Sequence, residues 1–282
     1  MPQTLFSAAP HRSSVYQHRR RLATAILGTL AISLLQLSGS IAEPNSPAGQ
    51  VLQEWGISEA ALAKAPRYIP PKRRGMPKRT QGGGSRGCAG LPTASADCAI
   101  SLTALVPADH IGLTTAARPV LSWYASQRSE QPWQVTLVEP GVSKPLWVQQ
   151  IPQVKAGLNQ FQIPANAPEL KPGRRYRWAV SQANSSDRSV SSPITRGWIE
   201  RVELPNQQSQ QMLAISSQRD RANWLAEAGL WYDALTEYTQ ALKANPQDPQ
   251  PLESLFSLFQ QGGLTQVIQW EQTTPTLSKP VS

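Results

Sequence analysis

Cysteine and histidine are nearly missing from this chain, which has two of the first and three of the second among 282 residues. His11 and His18 lie in the first 42 residues, so a metal site or a Ser-His-Asp triad further along would have to use His110. H-E-x-x-H does not occur, which removes the commonest signature of metalloprotease chemistry. Long apolar runs are also lacking. The longest uncharged and mainly apolar stretch, LATAILGTLAISLLQL, has 16 residues. At ~1.5 Å per residue it would span about 24 Å, short of a hydrocarbon core near 30 Å. Acidic residues are absent between positions 64 and 87, where eight lysines and arginines fall.

What is present begins with an address. Arg19-Arg20-Arg21 precedes the apolar stretch, and Ser38 to Ala42 supply a small-x-small site before Glu43. A basic start, a short apolar centre and such a site make up a secretory signal peptide, so residues 1–42 are predicted to be removed on export. The periplasm, the thylakoid lumen and the cell exterior are all open. Of 27 basic residues, four lie in that leader, which leaves 23 against 18 acidic ones. The excess is confined to residues 64–87, and everything else in the exported chain is net acidic. A generally basic nucleic-acid-binding surface is therefore not expected. In an oxidising compartment Cys88 and Cys98 are candidates for a disulfide closing a short loop, with two free or redox-sensitive thiols as the alternative.

Composition divides the remainder. Residues 43–99 are polar and then rich in Pro, Gly, Lys and Arg, and are expected to form a disordered linker. Residues 100–205 carry short strand-like runs bounded by Pro, Gly, Asn and Asp, several alternating with period two. Trp133, Val135 and Leu137 share one face, as do Tyr176, Trp178 and Val180. Residues 215–270 read as helices, and residues 271–282 as a disordered tail. The predicted class is therefore α+β, a β-sandwich followed by a short helical segment.

Two stretches sharpen this reading. LKPGRRYRWAV has the form of a tyrosine corner, with Leu170 before Pro-Gly and Tyr176 opening an alternating strand. RPVLSWY, through Pro119, Leu121 and Trp123, resembles the early strand of fibronectin-type-III-like and other immunoglobulin-like sandwiches. In the helical part Ser217 is placed to cap a helix, with Asp220 three residues on. Gly229, Trp231, Ala234, Tyr238, Ala241 and Pro246 then resemble the signature of a tetratricopeptide repeat, although Gln218, Arg221 and Ala222 depart from it. Gly263 follows Gly229 by one repeat length, and Pro275 ends a fourth helix early. One and a half repeats are too few to stand alone, so these helices are expected to pack on the sandwich.

The ordered set RRGMPKRTQGGGSRGC, LTALVP, GLTTAARPVLSWY, LKPGRRYRW, GWIERVEL and RDRANWLAEAGLWYDAL resembles the family known as domain of unknown function 928. The likeness runs from about Arg73 to Gly263. It implies an exported protein, of a family found mainly in cyanobacteria, and transfers no catalytic residue.

The remaining motifs weigh little. Gly82, Gly84 and Gly87 satisfy G-x-G-x-x-G, but no strand precedes them and no helix follows, as a dinucleotide site requires. The basic run suits a solvated tether, or contact with an anionic polymer or membrane surface. His110, in VPADHIGLT, is expected in a surface loop. Glu200 is expected to pair with Arg175 or Arg177 rather than to act as an acid or base. Nine tryptophans allow stacking on sugars. Trp123 and Trp178 fit the core by parity and Trp231 the helices, while Trp133, Trp147 and Trp198 are taken as the glycan candidates. The expected function is a non-enzymatic envelope protein that binds another protein, with no cofactor, no metal and no nucleic acid. Glycan or anionic-polymer binding is the alternative, and an enzyme built around His110 is a third.

Overall fold

The computed structural model describes residues 66–72, 100–183, 193–273 and 275–277. The chain divides into residues 1–41 and 42–282, and every described residue belongs to the second unit. Cys88, Cys98 and the glycine-rich run lie outside the described residues.

Among the described residues, eight strands form two sheets. Strands β1 (Leu102–Ala104), β3 (Val120–Ala125) and β6 (Gly157–Gln162) make the smaller one, in the order β1-β3-β6. The larger contains β2 (Gly112–Thr114), β4 (Trp133–Val138), β5 (Trp147–Ile151), β7 (Arg175–Gln182) and β8 (Ile194–Arg201). Its order is β2-β8-β7-β4-β5, with β2 parallel to β8 and the other pairs antiparallel. Seven of the eight strands coincide with the runs visible in the sequence. Strand β2 escaped, three residues that begin with a glycine and follow the loop-like run around His110.

Period-two alternation decides the faces. Along β4, Trp133, Val135 and Leu137 are buried, while Gln134, Thr136 and Val138 are only partly so. Tyr176, Trp178 and Val180 do the same on β7. These side chains share one core with Leu121, Trp123 and Ala125 from the smaller sheet. The sheets are also stitched by hydrogen bonding, since the buried Thr195 hydroxyl of β8 accepts the Ala104 N–H of β1 at 2.8 Å. Strand β3 is buried on both faces, so something must cover its outer side.

The cover is helical. Helices α1 (Asn206–Leu213), α2 (Gln218–Glu227), α3 (Trp231–Ala244), α4 (Pro249–Gln261) and α5 (Thr265–Thr273) follow the last strand. Helix α1 lies ahead of the predicted helical boundary at 215 and buries no residue, so it has no apolar stripe to read. Ser217 caps α2, accepting the Asp220 N–H at 3.3 Å. Helices α2 and α4 end alike. The Gly229 N–H bonds Ala226 O and Leu230 N–H bonds Leu225 O, and Gly263 and Leu264 repeat this on Gln260 and Phe259. Both glycines have φ near +76°, the left-handed turn that closes such an end.

Two expectations of disorder are corrected. Residues 66–72, inside the predicted linker 43–99, dock on the helices with Tyr68 buried. The predicted tail 271–282 begins at a buried residue, Glu271, and Thr276 and Leu277 bond to it. Average composition is a poor guide in both places, because one aromatic or one carboxylate with several donors anchors a short segment.

Candidate functional site

The seam between sheets and helices gathers most of the buried polar groups. Helix α3 opens Trp-Tyr-Asp, and each of the three side chains reaches a different strand or loop. Trp231 is fully buried and donates its indole N–H to Leu105 O at 2.8 Å. Tyr232 accepts the Trp178 indole N–H at 2.8 Å and donates to Trp198 O at 2.9 Å. Asp233 accepts from Thr114 Oγ1 at 2.5 Å, Thr115 N at 2.7 Å and Thr115 Oγ1 at 2.8 Å. An acidic residue in the first turn of a helix is common, but here it also ties that helix to β2. Further along, Gln160 of β6 donates to Thr239 Oγ1 and accepts from Lys243 Nζ, both on α3.

Burial dominates the electrostatics. It raises the Asp233 carboxyl above the ordinary aspartate range, while the bonds from Thr114 and Thr115 pull the other way and nearby Glu237 adds to the rise. The Tyr232 and Tyr124 hydroxyls are likewise pushed upward, chiefly by burial. The Asp233 shift has a consequence for stability. An unfolded aspartate titrates near about 3.9. Above that value and below the raised folded one, the folded chain holds a proton that the unfolded chain has released. Stability from this group is full below about pH 3.9 and is lost as pH rises through the folded value. Urea midpoints of the wild type and Asp233→Asn across pH test this. The advantage of the wild type should shrink as pH rises through that window; a constant difference would refute it.

At the other end of the helices, Tyr124 of β3 donates to Glu271 Oε1 at 2.7 Å and stacks on Trp270 with centroids 5.5 Å apart. Glu271 also accepts from Thr276 N at 2.8 Å, Leu277 N at 2.9 Å and the Thr276 hydroxyl. His110 is corrected from a surface loop to the interior, with 1% exposure. Its Nδ1 lies 2.6 Å from Asp109 Oδ1 and its Nε2 2.7 Å from Tyr68 Oη. Asp-His-Tyr is a reactive-looking set, yet Tyr68 is buried too and its ring stacks on the imidazole. The three together fasten residues 66–72 to the fold.

The tryptophan candidates separate. Trp133 is fully buried and donates to Ser129 Oγ at 3.2 Å, so it offers no face to a sugar. The reason is strand parity, which already put it with Val135 and Leu137. Trp147 is half-buried on the core side of the edge strand, tilted against Phe161 with centroids 5.5 Å apart. Trp198 is half-buried on the outer side of β8.

Register places other residues beside Trp198. Arg177 pairs with it across β7 and β8, with the guanidinium carbon 6.0 Å from the indole centroid. Arg175 pairs with Glu200 in the next row at 2.8 Å, an exposed ion pair contributing about 0–1 kcal/mol. Arg196 pairs with Ala179 on the other side of Trp198. Arg175, Arg177 and Arg196 are exposed, as are Val148 and Gln150 of β5 on the same face. Among the described residues no carboxylate forms an ion pair with Arg177 or Arg196, and no element covers this face. Leu170 and Tyr176 lie at its edge, both buried, and Lys171 N donates to Tyr176 Oη at 2.9 Å. Sequence reasoning missed Arg196, Tyr232, Asp233 and Glu271. Only Asp233, a carboxylate directly after two large aromatics, left any trace of its role.

Fold and site together define a mixed α+β protein: among the described residues, two sheets followed by five helices, with helix α3 packed against strands of both sheets and an arginine-rich outer face open on the larger one. The chain belongs to the DUF928 family, described as a Domain of Unknown Function, whose model matches residues 81–272. A search of curated proteins returned no match.

Proposed function

We propose that this is an exported, non-enzymatic binding module of the cell envelope, and that it recognises an anionic protein surface through the outer face of its five-stranded sheet. One observation carries the reading. Arg177 and Arg196 flank Trp198 on a sheet face that nothing described covers, whereas the apolar faces of helices α2 to α5 are taken up by internal packing. A half-exposed aromatic between guanidiniums suits a binding surface, where Trp and Arg supply much of the energy. The buried carboxylates and the imidazole are engaged in holding elements together, which supports a binding role over an enzymatic one.

The architecture fits this reading. Strand orders β1-β3-β6 and β2-β8-β7-β4-β5, with the Tyr176 bond, support an immunoglobulin-like or fibronectin-type-III-like sandwich. The matching ends at Gly229 and Gly263, with Ala222, Ala226 and Ala234 buried between helices, support a tetratricopeptide-like segment. The signal-like leader supports export, and residues 64–87 would serve as a basic leader to the domain.

A second reading, an anionic glycan in place of the protein, is favoured by Trp198 itself. Both are tested with an immobilised chain of residues 43–282 and its Arg177→Glu/Arg196→Glu variant, challenged with the exported fraction. Retention of the partner should fall about tenfold or more, equivalent to ~1.4 kcal/mol, while the thermal midpoint stays unchanged. Protease treatment of the fraction should abolish retention if the partner is a protein and spare it if it is a glycan. Equal retention by both chains would sink the sheet-face reading.

A further inference from the structure

The segment Pro66–Lys72 is bound to the helices as a peptide is bound to a receptor. It has neither helix nor strand structure, and a side-chain anchor and backbone bonds hold it. The anchor is Tyr68, 3% exposed, set edge-on to Trp231 with centroids 5.1 Å apart and stacked on His110. Its hydroxyl meets His110 Nε2 at 2.7 Å. Gln261 reads the backbone on both sides, accepting the Tyr68 N–H at 2.8 Å and donating to Pro66 O at 3.1 Å. Ile69 N–H donates to Ala226 O at 3.2 Å. Gly229 forms the floor, since a Cβ there would lie 2.7 Å from Ile69 O. A left-handed glycine thus does two things, ending α2 and letting another backbone approach closely.

We propose that this groove is a peptide-docking site and that a second copy of the chain supplies its own residues 66–72 to it, so that two chains exchange segments reciprocally. The occupant follows from the fit, because the sequence seen to satisfy this groove stands on every copy. The connection allows it. Positions 73–99 separate the segment from Ile100, and 27 residues reach at most about 90–97 Å when extended. That length permits docking on the chain's own groove or on a neighbour's with the same contacts. The two arrangements differ only in the local concentration the tether provides, in the millimolar range for short linkers. Exchange is therefore driven by concentration, and reciprocal exchange closes a two-fold dimer with no new interface required.

The test is refolding of the exported chain, residues 43–282, from urea at about 10 μM and at about 1 mM, followed by dilution and light scattering on a sizing column. We expect monomer from the first and a dimer fraction from the second that persists on dilution. Tyr68→Ala should refold as monomer at both concentrations. A synthetic peptide of residues 64–73 should bind the Tyr68→Ala chain saturably, and the same peptide with alanine at position 68 should bind at least tenfold more weakly. Monomer at every concentration overturns the exchange, and failure of the peptide to bind a folded Tyr68→Ala chain overturns the groove. Should Tyr68→Ala not fold by circular dichroism, Gln261→Ala replaces it, since that change removes two backbone bonds and leaves the aromatic core. An undiminished dimer in Gln261→Ala would count against the proposal. None of these readouts involves the arginine face, so their failure leaves the sheet-face reading untouched.

Discussion

Trp231→Ala is expected to cost about 4–5 kcal/mol, at the upper end for a buried aromatic cut back to alanine. Three losses coincide. The indole is fully buried, its N–H leaves Leu105 O without a partner, and its ring leaves a gap against Gly262, where an added Cβ would fall 2.1 Å from Cη2. Tyr68 loses its edge-on neighbour as well. Against a typical domain stability of about 5–15 kcal/mol this is close to unfolding. Urea denaturation followed by circular dichroism measures it. Strand and helix signals should be lost in one transition, because Trp231 joins the β1 side of the fold to α3 and α4. Gly262→Ala alone should also destabilise, but should cost little on top of Trp231→Ala. A purely additive double mutant would show that the ring does not fill that notch.

Gly197→Ala is the second large effect, about 2–3 kcal/mol from overpacking. Gly197 pairs with Trp178 across β7 and β8, and a Cβ there would lie 2.5–2.7 Å from Cε2, Nε1 and Cζ2 of the indole. Trp178 cannot swing away, since it is fully buried and its N–H is held by Tyr232. Thermal midpoints of Gly197→Ala, Trp178→Phe and the double variant test this. The smaller ring should recover part of the alanine penalty, and no recovery would argue against the clash.

Seven of the eight described strands and four of the five described helices were legible because burial imposes period two or 3.6 on a chain that makes them. The caps were legible as well, since Ser217 with Asp220 and the two glycines act within a few residues of where they stand. His110 was misjudged for the opposite reason. Its neighbours Val106, Pro107, Ala108 and Asp109 look like a loop, and the partner that buries it, Tyr68, lies 42 positions away. Trp133 was offered as a surface residue although its own alternation already argued for the core.

Sequence alone therefore determined the α+β class, the strand faces, the helix ends and the family, all of which depend on residues near one another in the chain. Tertiary structure decided which residues meet. It set Trp231, Tyr232 and Asp233 on three different partners, drew Tyr68 into the helices, closed Glu271 over the tail, and left Arg177, Trp198 and Arg196 facing outward together. A buried donor or carboxylate needs a partner wherever the fold brings one, and for these residues the partner is remote in sequence. Local pattern records the need for burial or capping; it does not record who satisfies it.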